Sequence, residues 1–182
     1  MSRPGAARSI GRRHEMLRVD HAGEYGAVAI YRGQLAVFGR QAGHERIVGQ
    51  IEEMAEQEQV HLDAFDKLLA EGHVRPTALS PLWNAAGFAL GAATALLGEK
   101  AAHACTEAVE TVIEEHYGGQ VGELEAEGET RLARQLSQFR DEEIAHKDLA
   151  TAEGAGDARG YQLLSALIRT GCRIAIRISE KV

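Results

Sequence analysis

Cysteine is nearly missing: Cys105 and Cys172 are the only two in 182 residues. Two thiols make no disulfide framework in a chain of this size, and there is no Cys-x-x-Cys. A reducing compartment is the expectation. Proline is also scarce, with three residues, so long stretches are free to be helical. Aromatic residues make up 5% of the chain and the net charge is −7, which excludes an ordinary nucleic-acid surface. No glycine-rich phosphate loop is present. Alternating Val/Ile/Tyr runs are nearly absent, so the core is not built from sheet. The apolar run "LWNAAGFALGAATALL" (82–97) holds 16 residues without a charge, short of the roughly 20 needed to cross a bilayer.

What is abundant is Ala, Leu, Glu, Arg and Gln, the vocabulary of helices. One all-α domain is expected, long enough to bury roughly 70% of the surface of its unfolded chain. The pattern predicts helices over about 14–41, 44–71, 98–126, 129–153 and 161–178. Breaks fall at "QAGH", at "EGHVRPTALSP", at Gly128 and at "EGAGDARG". Charge is uneven. Residues 1–18 carry net +4 and 161–182 net +3, leaving −14 between them. Acid in the middle and base at both ends fit cations inside and an anionic surface outside. Residues 1–16 are set apart as a basic segment and 17–182 as the domain. The Arg-rich start also fits a transit peptide, but it is short and runs directly into a motif, so it reads as part of the working protein.

Two Glu-x-x-His pairs stand out, Glu58/His61 in "EQVHLDAF" and Glu143/His146 in "EEIAH". With 21 Glu and 8 His, chance alone supplies about one such pair, so the motif by itself decides nothing. Placement says more. In an antiparallel hairpin, residues equidistant from the loop lie at one height. Glu24 and Glu58/His61 centre on 41 to 42.5, beside Gly43; Glu110 and Glu143/His146 centre on 126.5 to 128, beside Gly128. The offsets repeat as well, 34 residues from Glu24 to Glu58 and 33 from Glu110 to Glu143. Residues three apart lie about 60° apart around a helix and share a face. Four Glu and two His from four helices are the ligand set of ferritin-like di-iron and di-manganese bundles. Oxygen and imidazole donors suit iron or manganese. The competing reading makes these residues solvated helix faces.

The stretches "LRVDHAGEYGA", "EQVHLDAF", "ACTEAVETVIEEHY", "FRDEEIAH" and "GCRIAIRISE" resemble demethoxyubiquinone hydroxylases from about Leu17 onward. These are flavin-independent di-iron monooxygenases of ubiquinone biosynthesis. The resemblance implies a ferritin-like four-helix bundle with an added apolar helix and a C-terminal amphipathic helix. It implies two Fe ions per chain, ligated by Glu24, Glu58, His61, Glu110, Glu143 and His146, with Glu58 and Glu143 bridging. It implies O2 and a polyprenylated methoxy-methyl-benzoquinol as substrates, and it places His116 and Tyr117 near that ring as catalytic residues. "HYGGQVG" sets three glycines inside a helix, each costing about 1 kcal/mol relative to Ala, so a soft or kinked helix is expected there.

Asp20 and Asp141 are candidates to orient the ligand imidazoles. His21 and His103 read as packed or solvated, and Cys105 as a small buried apolar residue. The run 82–97 has two readings: a buried helix packed through Gly and Ala, or a membrane-facing element admitting the prenyl tail, with Trp83 at headgroup level. Arg169, Arg173 and Arg177 recur every four residues beside apolar neighbours, a pattern that fits an anionic membrane surface. A peripheral place on the cytoplasmic side of the cell membrane is expected, or alternatively on the matrix side of the mitochondrial inner membrane. The electron donor, NADH or a reductase, is open, and other ubiquinone-biosynthesis proteins are candidate partners. Two other functions compete, an iron-oxidising ferritin-like protein without organic substrate and a helical scaffold without metal.

Overall fold

The computed structural model describes residues 4–182, with side chains from Ile10 onward; the first three residues of the basic segment lie outside it. Six α-helices follow in order: α1 (Pro4–Phe38), α2 (Glu45–Gly72), α3 (Ser80–Leu96), α4 (Glu99–Glu127), α5 (Thr130–Ala152) and α6 (Tyr161–Ser179). Residues 4–16, set apart in the sequence by charge, form the first turns of α1. Arg12 and Arg13 fasten them to Glu123 and Glu129.

Pairs between helices fix their directions. Along α1, Asp20, Tyr31 and Gln34 meet His116, Glu110 and Ala102 of α4, so α1 and α4 run antiparallel. Gln57 and Glu142 place α2 and α5 antiparallel in the same way. α1, α2, α4 and α5 form the four-helix bundle, and α3 is the crossover that returns the chain from the end of α2 to the start of α4. The hairpin turn between α1 and α2 holds Gly43 at φ 91°, and that between α4 and α5 holds Gly128 at φ 80°, a backbone that favours glycine.

At the end of α2 the left-handed residue is His73, not Gly72. The Val74 N–H donates to Leu69 O at 2.9 Å and buries Val74 on Leu69. That capping pattern offsets a backbone cost of about 1–2 kcal/mol.

α3 packs on α1 through missing side chains. A Cβ at Gly91 would sit 1.9 Å from the Ile30 carbonyl oxygen, and one at Gly33 would sit 2.2 Å from that of Phe88. The opposite face of α3 exposes Leu82, Phe88, Leu96 and Leu97. The reading of 82–97 as a helix packed through Gly and Ala describes the face on α1. "HYGGQVG" shows no break, because α4 is helical throughout. Gly122 is exposed and has nothing within 4 Å of an added Cβ. Gly91→Ala is therefore expected to lose about 1–3 kcal/mol by overpacking, and Gly122→Ala to gain about 1 kcal/mol. Opposite shifts in thermal midpoint check this; equal shifts would mean that α1 and α3 do not meet as described.

On α6 two of the arginines pair with acids of α4. Arg169 donates to Glu107 of α4 at 2.6 Å and Arg173 to Glu115 at 2.9 Å. Tyr161 also donates to Glu107, at 3.0 Å. The exposed side of α6 carries Leu163, Leu167, Ile174 and Ile178 beside Arg173 and Arg177. The four-residue spacing was real, but the acids of α4 take two of the three charges.

Candidate metal centre

The bundle core contains six residues that would not be buried together without a reason. Glu24, Glu58, His61, Glu110, Glu143 and His146 are each at most 3% exposed. They form two overlapping groups, Glu24/Glu58/His61/Glu143 and Glu58/Glu110/Glu143/His146, in each of which the donor atoms lie within 4.8 Å of one another. Glu58 and Glu143 belong to both. Each helix supplies its share by the spacing seen in the sequence, one Glu from α1 and from α4, a Glu-x-x-His from α2 and from α5.

Both imidazoles present Nδ1 to the cluster. His61 Nδ1 lies 3.0 Å from Glu143 Oε1 and 3.7 Å from Glu24 Oε2. His146 Nδ1 lies 3.2 Å from Glu58 Oε1 and from Glu143 Oε2. The far nitrogens are held from outside. His61 Nε2 donates to Glu142 Oε2 at 2.5 Å, and His146 Nε2 to Gln57 Oε1 at 2.5 Å. An acceptor on Nε2 keeps the proton there and leaves Nδ1 to face a metal.

The electrostatics suit cations. Burial pushes the Glu58 and Glu110 carboxyls well above the ordinary range, and the neighbouring Glu143 carboxylate pushes both further. Burial would raise Glu143 too, but His146 and His61 hold it at about 2. Burial opposes charge on His61, yet Glu143 and Glu24 lift it to about 11. The Glu24 Oε2, both Glu58 oxygens, Glu110 Oε2, Glu143 Oε1 and His61 Nδ1 all lack hydrogen-bond partners. Several orphaned oxygens at one buried point are costly unless an ion takes them up. The donor set, carboxylates with imidazoles and no thiolate, fits two hard or borderline divalent ions.

Two tyrosines brace the carboxylates from the opposing helix. Tyr117 of α4 donates to Glu24 Oε1, and Tyr31 of α1 donates to Glu110 Oε1 at 2.9 Å. Each tyrosine follows its own helix's glutamate by seven residues but serves the other's, because α1 and α4 are antiparallel. Tyr31 went unnoticed in the sequence, although the Glu-x6-Tyr spacing occurs twice. His116 pairs with Asp20 Oδ1 at 3.1 Å, and Gln120 donates to the same oxygen at 2.8 Å.

The expectation for Asp20 and Asp141 needs correction. Asp20 orients His116, which lies outside the cluster, and Asp141 is exposed beside Arg140. Gln57 and Glu142 do that work. Each lies four residues before a cluster histidine on its own helix, so it shares that face and reaches across to the other histidine. Asp141 is one residue, about 100°, off the face.

Beside the bundle, α1, α3, α4 and α6 line a half-open apolar cavity of about 540 Å³. A tighter gap, without room for water, is lined by Ala27, Ile30, Tyr31, Thr106, Val109 and Glu110. Ala27, Ile30 and Val109 line both spaces, so one layer of side chains separates the cavity from a cluster carboxylate. Neither His116 nor Tyr117 is among the residues lining the cavity.

Comparison with known proteins agrees with this architecture. The family profile described as "Ubiquinone biosynthesis protein COQ7" matches residues 12–179. The 3-demethoxyubiquinol 3-hydroxylase of Rhodospirillum rubrum is 52% identical over 166 residues, covering 91% of this chain and 76% of its own. A protein of Rattus norvegicus named NADPH-dependent 3-demethoxyubiquinone 3-hydroxylase, mitochondrial, is 50% identical over 171 residues, covering 92% and 76%. The 5-demethoxyubiquinone hydroxylase, mitochondrial, of Saccharomyces cerevisiae is 39% identical over 181 residues, covering 92% and 77%. With a matching profile over most of its length and half-identical relatives, this chain belongs to the family of ubiquinone biosynthesis protein COQ7.

Proposed function

We propose that the protein is a di-iron monooxygenase that hydroxylates the ring of a polyprenylated methoxy-methyl-benzoquinol in ubiquinone biosynthesis. Its relatives are named as hydroxylases of the demethoxy quinone or quinol. The observation that carries the reading to this chain is the apolar cavity, separated from Glu110 by a single side-chain layer. An iron-handling protein has no use for such a space, and a scaffold has no use for the cluster.

One oxygen atom of O2 enters the ring C–H bond as a hydroxyl and the other leaves as water. Two electrons and two protons come from outside the chain. Glu24, Glu58, His61, Glu110, Glu143 and His146 would hold two iron ions, which would supply the oxygen-reducing chemistry. Glu58 and Glu143 would be shared between the two positions, Gln57 and Glu142 fix the imidazoles, and Tyr31 and Tyr117 fix the Glu24 and Glu110 carboxylates. Ala27, Ile30 and Val109 keep water from the ring side of Glu110. His116, with Asp20 and Gln120, forms a polar layer between Tyr117 and the surface, suited to passing a proton inward. The name of the rat relative supports a reduced nicotinamide as the source of electrons.

The substrate is lipid-soluble, and the protein meets it at a membrane surface. No helix among the described residues is long and apolar enough to cross a membrane. The exposed apolar rows of α3 and α6 border the cavity and suit a peripheral attachment. With Arg169 engaged by Glu107 that attachment is largely apolar, and the exposed Arg173 and Arg177 give it a salt-sensitive part. Mitochondrial relatives and a bacterial one leave the same geometry on either an inner mitochondrial or a cell membrane.

The decisive experiment supplies a demethoxyquinone and reductant to the iron-loaded protein and looks for the hydroxylated ring. Binding has a separate readout. The Cys172 thiol lines the cavity, and burial pushes it up to about 11, so maleimide labelling is slow. At tenfold excess over its dissociation constant, the quinone should slow that labelling about tenfold. Full labelling under turnover conditions would place the substrate elsewhere.

A further inference from the structure

The apolar cavity has a polar fastening at one end. Trp83 Nε1, in the first turn of α3, donates to Ser179 Oγ, in the last turn of α6, at 3.1 Å. Both residues line the cavity, and Ser179 is 2% exposed. α3 packs on α1 and α6 on α4, so the two helices are the lips of a slot whose floor is α1 and α4. The cavity follows α1 from Val19 to Ile30, a rise of about 16 Å. The Ile30 end faces Glu110 across one layer of side chains, and the other end lies at Trp83 and Ser179.

A quinol with its ring at the Glu110 end has its tail pointed at this pair. The ring and the first isoprene units fill the available length, and a longer tail that continues along the slot runs between Trp83 and Ser179. We propose that Trp83 and Ser179 form the gate through which the prenyl tail leaves the cavity, and that their hydrogen bond makes turnover depend on tail length. The proposal rests on the hydroxylase reading above. Tails that end inside the cavity leave the hydrogen bond closed, whereas longer tails part it. A hydrogen bond suits a gate: it satisfies two buried polar atoms when shut, and its net strength is small enough for a tail to displace.

Leu90 does not test this, because it packs with Ile30 and Val109 at the ring end. A charge there strikes long- and short-tailed substrates alike.

Trp83 is the only tryptophan in the chain, so its fluorescence reads the gate without any turnover. The iron-loaded protein in detergent micelles is titrated with a substrate quinone bearing one isoprene and with the same ring bearing many. The long tail should shift and quench the emission, and the single isoprene should leave it nearly as it was. Ser179→Ala and Trp83→Phe each remove the hydrogen bond from a different side. In both, kcat/KM for the long-tailed quinol relative to the single-isoprene quinol should rise about fivefold, the tail no longer having to break the bond. A ratio unchanged in both variants, or equal emission changes with the two ligands, overturns the gate. Turnover of long-tailed quinol with tail-independent emission would sink the gate alone. Absence of turnover with any tail would sink the hydroxylase reading, while the emission titration still decides whether tails pass between these residues.

Discussion

Replacing Glu143 with alanine is expected to empty both metal positions. The wild-type chain should carry about two irons after anaerobic loading, and Glu143→Ala should retain only a small fraction of them. Glu143 belongs to both donor groups and lies within 3.2 Å of both imidazoles, so its loss removes a bridge and a neighbour from each ion. Glu24 belongs to one group only, and Glu24→Ala should leave the second position largely filled. Activity should fall more than about 100-fold in either variant, since loss of an outer supporting group alone can reach that range. Iron analysis beside circular dichroism separates metal loss from unfolding. Equal iron in wild type and folded Glu143→Ala would refute the shared position of Glu143.

Stripping the metal should lower the thermal midpoint by about 10 °C, and the gap should widen as pH rises. An ion at a thousandfold excess over its dissociation constant contributes about 4 kcal/mol, and in a chain of this size each kcal/mol moves the midpoint by about 2–4 °C. The pH dependence follows from the carboxyls and His61. Folding raises the Glu58 and Glu110 pKa values, so their neutral forms favour the metal-free fold below the unfolded value of 4.5. That contribution is lost as pH climbs through the folded values. His61 moves from 6.5 to about 11, so its contribution is complete below 6.5 and fades between there and 11. Glu143, held at about 2, contributes fully above 4.5 and adds no slope in this window. Between pH 5 and 9 the metal-free midpoint should therefore fall steadily. The loaded protein should stay nearly level, because the metal prefers the deprotonated donors. A metal-free midpoint that rises with pH would show that the cluster carboxyls are not buried together.

The cluster was the most legible part of the chain. Two glycine turns and the equidistance rule place Glu24 opposite Glu58/His61 and Glu110 opposite Glu143/His146 from spacing alone. Its supports were legible too, although overlooked. The doubled Glu-x6-Tyr spacing marks Tyr31 and Tyr117, and an acceptor four residues before each histidine marks Gln57 and Glu142. Reading Asp141 as a support missed the face by one residue, because a rotation of about 100° is small in sequence and decisive in space.

By itself the sequence determined five helical segments, their breaks and the face of the four bundle helices that carries the cluster. These follow from spacing along a single chain, where rise and rotation per residue are nearly constant. Tertiary structure decided which helix each side chain serves. Tyr117 braces Glu24 and not its own helix's Glu110, and Arg169 turns to Glu107 instead of outward. It also decided that α3 and α6 stand apart over α1 and α4, leaving a cavity fastened at Trp83 and Ser179. The rotation and separation of two helices depend on every side chain between them, including the missing ones at Gly33 and Gly91, where the backbones come within contact. No spacing along one chain contains that quantity, because it is a property of surfaces meeting.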